Sequence, residues 1–172
     1  QRPPLSAEEV AQNSETYLEQ IGLVLDLSPE RCEVRKNGEW FSGMDFFDAL
    51  QLAARGTVAR LLERDDFRKR MDQKQAVHLH EMMYPLMQGW DSVQIQADVE
   101  IGGNDQLFNL HMGRLLQERN KQVPQICLTT PLLLGTDGRK MSKSYGNHVP
   151  LAGEADDSYG KIMSLADEAM AS

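Results

Sequence analysis

The stretch from Ala97 to Asn147 most constrains what this chain can become. It opens with a short apolar segment ending on a glycine pair, Gly102-Gly103. It passes through Asn104, Asp105 and Gln106 into a helical pattern and returns to a β-rich run from Gln125 to Thr130. A loop with Gly135, Gly138 and Gly146 then carries Lys140-Met141-Ser142-Lys143-Ser144. Strand, glycine turn, helix, strand and basic loop is the order of a nucleotide-binding half-unit. The expected fold class is α/β, with parallel strands around 97–101 and 125–130.

Each end of this stretch carries chemistry. Gly102 and Gly103 let the backbone approach a ligand and adopt dihedrals closed to other residues. Asp105 can accept hydrogen bonds from ribose hydroxyls. Lys140 and Lys143, on a glycine-softened loop beside serine hydroxyls, suit a polyphosphate whose charge grows during reaction. The bland alternative for 102–106 is a turn and helix start capped by Asn104 or Asp105. For Lys140, Lys143 and Ser144 it is a basic surface loop.

A chain of 172 residues, 41% hydrophobic and 26% charged, is one ordinary domain's worth. No apolar run approaches a membrane span. Cys32 and Cys127 form no paired motif, which suits half-buried thiols in a reducing compartment and hence a cytoplasmic location. A net charge of −8 is the wrong sign for a self-sufficient nucleic-acid binder. Phosphate contacts would fall to another part or to a local patch such as Arg64, Arg68, Lys69 and Arg70.

Before the organising stretch the chain reads as mostly helical. Pro3-Pro4 forces an extended entry from Gln1 to Leu5. Ser6-Ala-Glu-Glu9 is a capping box opening a helix striped by Val10, Tyr17, Leu18 and Ile21. Cys32 to Phe41 predicts a hairpin turning at Asn37-Gly38, with no chemistry expected in it. Helices are expected over 44–54 (Phe46, Phe47, Leu50 and Ala54 on the apolar side), 57–62, 65–71 and 77–87. The charges of 63–70 read as a solvated face. Towards the end, Ser158 to Met163 and Leu165 to Ser172 read as short helices. The division expected is 1–96, helical with a small hairpin, and 97–172.

Tyr84, Gln88 and Asp91 follow i, i+4, i+7 and share a helical face, where a tyrosine, an amide and a carboxylate can hold a small zwitterion. Asp91 as a helix-end or capping residue is the competing reading. His111-Met-Gly-Arg114 reads as helix surface, His78-x-His80-Glu81 as cap or interface histidines rather than a metal site, and Cys127 as core.

Three segments in order resemble a known family. KMSKS at 140–144 is similar to the signature loop of class I aminoacyl-tRNA synthetases. GGNDQ at 102–106 resembles the GG-x-DQ segment, and Tyr84-Pro-Leu-Met-Gln88-Gly-Trp-Asp91 the Y-x3-Q-x2-D segment, of tyrosyl-tRNA synthetases. The whole chain resembles the middle of a bacterial-type member. Leu107-Phe108-Asn109 stands where the family often has Trp-Gly-Asn, which bears on the subgroup and not on the function.

The resemblance implies a Rossmann-like catalytic domain, its second half preceded by a helical connective insertion that helps form a homodimer. It implies that Tyr84 and Gln88 bind the α-ammonium of L-tyrosine, that Asp91 accepts from its phenol and that Gln106 lies near the reacting carboxylate. It further implies that Gly102, Gly103, Asp105, Lys140 and Lys143 bind ATP or the adenylate, with Lys140, Lys143 and Ser144 catalytic. Magnesium would accompany ATP, with no dedicated protein cage and no protein metal site. The partners implied are L-tyrosine, ATP and tRNA(Tyr), with no membrane. The H-x-G-H half would precede Gln1 and the anticodon-reading domains would follow Ser172, so the isolated 172 residues are expected to form little tyrosyl-adenylate. Competing readings are a related class I ligase of the tryptophan type, a nucleotidylyltransferase with a similar loop, and a non-catalytic dimerising or RNA-binding relic. Asp91 as a phenol acceptor separates the first of these, and loss of tyrosine and ATP affinity the last.

Overall fold

The computed structural model describes residues 6–165 and 167. The extended entry expected at 1–5 and most of the terminal helix expected at 165–172 lie outside the described residues, as does the side chain of Val10. The chain packs as two compact units, one of residues 36–132 and one of 1–35 with 133–172. The first unit runs across residue 96, where the sequence suggested a division.

The unit of 36–132 is built on two parallel strands with a helix between them. Strand β1 (Val99–Gly103) pairs in parallel with β2 (Ile126–Thr130), Val99 opposite Ile126 and Gly103 opposite Thr130. A single turn of 3-10 helix (Asn104–Gln106) leads from β1 into the helix between them, Leu107–Arg119. Five helices precede β1 in this unit. In chain order with α1 (Ala7–Gly22) of the other unit, they are α2 (Gly38–Phe41), α3 (Phe46–Ala53), α4 (Val58–Leu61), α5 (Asp65–Asp72) and α6 (Leu79–Gln94), so the helix between the strands is α7.

Local chemistry explains most helix ends. Asp45 with Asp48 forms a capping box on α3, and the Thr57 hydroxyl accepts from the Arg60 amide at the start of α4. Helix α5 carries Asp65 and Asp66 in its first turn and Lys69 and Arg70 in its last, matching the helix dipole. Helices α5, α6 and α7 exit through left-handed residues, Lys74, Gln96 and Lys121 (φ 56, 52 and 60°). In each case the next amide reaches back across the turn, as Ala97 does to the Ser92 carbonyl and Gln122 to that of Gln117. Helix α6 continues through Pro85, whose buried ring packs in the interior.

Helices α6 and α7 cross almost backbone to backbone. A Cβ at Gly89 would lie 3.0 Å from the Gly113 nitrogen and the Met112 carbonyl carbon. Leu52, Leu61, Leu86, Val93, Met112 and Leu116 form the core beside this crossing. The buried Gln117 side chain ties the exit of α6 to the entry of β2: its Nε2 donates to the Ala97 carbonyl (2.9 Å) and its Oε1 accepts from the Gln125 amide (2.7 Å). The far face of the sheet, with Val99, Ile101, Ile126 and Leu128, is exposed.

Three expectations are corrected here. No hairpin forms at 32–41: Asn37 takes right-handed helical dihedrals (φ −65°, ψ −14°), its carbonyl accepts from the Trp40 and Phe41 amides, and Glu39 accepts from the Lys36 amide. A type I′ turn needs positive φ at Asn37, and a helical turn takes its place. The apolar side of α3 is not its packed side, since Phe46, Phe47, Leu50 and Ala54 are exposed and Leu52 is buried. Gly102 and Gly103 adopt no unusual dihedrals, the positive-φ glycines being Gly138 and Gly146. Space is what these two require: a Cβ at Gly103 would meet Asp105 Oδ1 at 2.7 Å, and one at Gly102 would meet Gln106 Cβ at 3.3 Å.

The second unit contains α1, opened by the Ser6–Glu9 capping box, and α8 (Ala155–Met163). Between 133 and 154 it holds the loop with the two lysines, pinched by a bridge between Leu134 and Lys140.

Candidate active site

Helix α6 supplies Tyr84, Gln88 and Asp91, and the structure gives each a different neighbourhood. Tyr84 is exposed and lines a hollow of about 300 Å³ with Arg64, Phe67 and His80. Gln88 is half-buried against β1 and α7: its Oε1 accepts from Asn109 Nδ2 at 2.9 Å and its Nε2 faces Glu100 Oε1 at 3.5 Å. Asp91 is half-buried on the side of α2, where its Oδ1 accepts from the Trp40 indole at 2.8 Å. Burial pushes the Asp91 carboxyl above its ordinary range, hydrogen bonds from Trp40 and Asn37 oppose the rise, and the charge of Glu100 adds to it. A carboxylate held this way is an oriented acceptor, and Asp91 does not cap the helix end.

Segment 102–106 brings its residues to the C-terminal end of β1, where ligands gather in α/β folds. The Asp105 carboxylate lies over Gly103, and the stem of Gln106 lies over Gly102. Neither Asn104 nor Asp105 caps α7: its N-cap is Gln106, whose side chain makes no capping hydrogen bond. Gln106 Oε1 instead accepts from Asn109 Nδ2 at 3.0 Å, so Asn109 joins Gln88 to Gln106.

The basic loop is ordered by a residue that carries no charge. Asn147 is buried; its Oδ1 accepts from the Ser142 amide (2.8 Å), and its Nδ2 donates to Asp137 (2.7 Å) and to the Lys140 carbonyl (3.2 Å). Its backbone carbonyl accepts from the Thr136 amide. Gly135 has no room for a Cβ, which would sit 2.3 Å from the Asn147 amide. Asn147, then Arg139, hold the Asp137 carboxyl down at about 2. Gly138 and Gly146 supply positive φ on either side of Lys140, Lys143 and Ser144, all three exposed. The Ser142 and Ser144 hydroxyls lie 2.7 Å apart, and Arg139 stacks over Tyr145. A hydrogen-bonded loop with exposed ammonium groups is suited to phosphate oxygens.

Four residues that hold the candidate side chains in place, Trp40, Glu100, Asn109 and Asn147, were not singled out from the sequence. Trp40 sits in the segment from which no chemistry was expected, and its bond to Asp91 spans 51 positions. Glu100 and Asn109 join the amides across 12 and 21 positions, a pairing that only packing reveals. Asn147 had a local cue, closing the loop just after Gly146.

The remaining candidates resolve plainly. Of the basic patch, Arg64 pairs with Asp66 and Arg70 with Glu81, while Arg68 donates to the Glu63 carbonyl. Arg70, then the His78 amide, hold the Glu81 carboxyl down at about 2. His78 caps α6 from outside the helix and therefore stacks on His80, with centroids 5.7 Å apart. Among the described residues no group of three or more His, Cys, Asp or Glu could hold a metal. His111 is exposed, and Cys32 and Cys127 are free and half-buried. No helix among the described residues is long and apolar enough to cross a membrane.

Comparison with known proteins bears on this arrangement. The family model of class I tRNA synthetases (W and Y) matches residues 1–171. A tyrosine–tRNA ligase of Idiomarina loihiensis is 54% identical over 170 residues, covering 98% of this chain and 42% of that protein. One of Thermotoga maritima is 52% identical over 168 residues, covering 97% and 41%. The chain thus spans less than half the length of these curated relatives. Among solved structures, a tyrosyl-tRNA synthetase of Archaeoglobus fulgidus complexed with L-tyrosine superposes with a TM-score of 0.74 at 28% identity, covering 94% of this chain and 50% of that one. A tryptophanyl-tRNA synthetase of Campylobacter jejuni, complexed with ADP and tryptophan, shares the fold at a TM-score of 0.66 and 16% identity, covering 95% and 53%.

Proposed function

The chain belongs to the class I tRNA synthetases of the tryptophan and tyrosine group, and from that premise we propose that it is the tyrosine-recognising and phosphate-binding portion of a tyrosine–tRNA ligase. In this reading the carboxylate of L-tyrosine attacks the α-phosphate of ATP. An O–P bond forms, the bond to the bridging oxygen of the β-phosphate breaks, and pyrophosphate leaves with the electron pair. The adenylate then passes its acyl group to tRNA(Tyr). No enzyme nucleophile is required, so the protein acts by positioning and by stabilising charge.

The single observation that carries the reading is the half-buried Asp91 acceptor held by the Trp40 indole. An oriented carboxylate that a phenol satisfies and a phenyl ring leaves unpaired selects tyrosine over phenylalanine. Tyr84 and Gln88 meet the α-ammonium, and Gln106 the carboxylate. Gly102, Gly103 and Asp105 take the ribose and adenylate. Lys140, Lys143 and Ser144 bind the phosphates as charge moves onto pyrophosphate. Magnesium enters with ATP as part of the substrate. A homodimer and a cytoplasmic location complete the proposal.

The test is pyrophosphate exchange into ATP by the enzyme containing this chain. Exchange should require tyrosine, ignore phenylalanine and lose that selectivity in Asp91→Asn. Exchange driven by tryptophan instead of tyrosine would replace this reading with the tryptophan type.

A further inference from the structure

We infer that Glu100 sets, through Gln88 and Asn109, which end of the Gln106 side-chain amide faces away from the protein interior. This deepens the reading of Gln106 given above and rests on it only for its functional consequence. Glu100 lies on β1 and gathers donors: Ser92 Oγ at 2.7 Å, the Gln125 amide, and Gln88 Nε2 at 3.5 Å. An ionised carboxylate accepts and cannot donate. Gln88 must therefore turn its Nε2 towards Glu100, which leaves its Oε1 towards α7.

Asn109 receives that oxygen. It is 5% exposed, and its Nδ2 donates to Gln88 Oε1 at 2.9 Å and to Gln106 Oε1 at 3.0 Å. An amide nitrogen has two protons, and both are used. Gln106 is thereby held with its carbonyl inward and its Nε2 on the opposite side. The stem of Gln106 lies over Gly102, where an added Cβ would come within 3.3 Å of the Gln106 Cβ. Reversing Gln106 alone sets two NH2 groups against each other; reversing the whole series sets an amide oxygen against the Glu100 carboxylate. One fixed charge thus determines the polarity of three neutral amides in sequence. Glu100 and Asn109 are positioning residues: what they present at Gln106 is a donor, the polarity that a reacting carboxylate or a phosphoryl oxygen requires.

Hydrogen exchange of the side-chain amide groups in the 15N-labelled chain tests this without tyrosine or ATP. Failure of the exchange assay above therefore leaves this result standing, and the converse holds too. In the wild type, the Asn109 NH2 should exchange about tenfold more slowly than the Gln106 NH2, the ratio given by a hydrogen bond of ordinary net strength. Asn109→Asp places an acceptor where the donor was, so the Gln106 NH2 should turn inward and become the slow group, an inversion that mere loosening does not produce. Glu100→Gln removes the acceptor-only end and should bring the two rates together. A slow Gln106 NH2 in the wild type overturns the inference, as does an unchanged Gln106 rate in a folded Asn109→Asp. Should Asn109→Asp lose its native backbone spectrum, the wild-type and Glu100→Gln rates decide.

Discussion

Replacing Gly113 by alanine sets helix propensity against packing, and the structure decides the sign. On propensity alone the change inside α7 stabilises by about 1 kcal/mol. The new Cβ, however, would sit 2.6 Å from Ser92 Oγ and 2.7 Å from Gln125 Nε2. Both groups donate to Glu100, and displacing one forfeits a hydrogen bond to a charged acceptor, about 1.5–3 kcal/mol. Net destabilisation of about 0.5–2 kcal/mol is expected once the propensity gain of about 1 kcal/mol is subtracted. Gly160→Ala is the control. It lies inside α8, and its Cβ would meet nothing within 4 Å, so it should stabilise by about 1 kcal/mol. Urea unfolding with the slope held constant measures both. If Gly113→Ala is stabilised as much as Gly160→Ala, the packing of Ser92 and Gln125 on Gly113 does not constrain the fold as described.

Other perturbations follow from single sites. Asp91→Asn should cut the tyrosine-over-phenylalanine ratio of kcat/KM by about 10- to 100-fold, the value of a charged hydrogen bond. Because burial raises the Asp91 pKa, its contribution to stability is present below the unfolded pKa and lost as pH rises through the folded one. Denaturation from pH 3 upwards should therefore show Asp91→Asn gaining on the wild type. For Asp137, depressed to about 2, the sign is opposite: loop order should hold above about pH 4, the ordinary carboxylate range, and fail as pH falls towards 2. The Ser142 backbone amide, which donates to Asn147, reports this, and Asn147→Ala should abolish the transition. Lys121→Gly, at φ 60°, should stabilise by about 0.5–1 kcal/mol in thermal unfolding, since the left-handed strain removed exceeds the entropy lost.

What was legible in the sequence was local or periodic. The parallel strands, the capping box at Ser6 and Glu9, and the helices around 57–62 and 65–71 depend on residues within a few positions of one another. Asn37-Gly38 misled because a hairpin turn needs two strands to close on, whereas Glu39 and the Trp40 and Phe41 amides close a helical turn there. Helix α3 misled because period alone marks an apolar side without saying that anything covers it; Leu52, on another side, meets the core. The candidate residues of α6, of 102–106 and of the basic loop were named as residue types in order. Their partners Trp40, Glu100 and Asn109 were not, because each contact joins elements distant in sequence; for Asn109 that approach is set by the glycines at the α6–α7 crossing.

The uncovered face of the sheet has a colloidal consequence. Val99, Ile101, Ile126 and Leu128 form a contiguous apolar stripe on paired strands, and the chain carries a net charge of −8. Mutual repulsion keeps such surfaces apart at low ionic strength, where the screening length is about 30 Å at 0.01 M. At 1 M it falls to about 3 Å, shorter than the reach of the stripe's side chains, and association follows the apolar area. The dispersity of this chain is accordingly set by salt: a clear solution of small, fast-diffusing particles in dilute buffer and growing scattering as the ions that hide its charge are added.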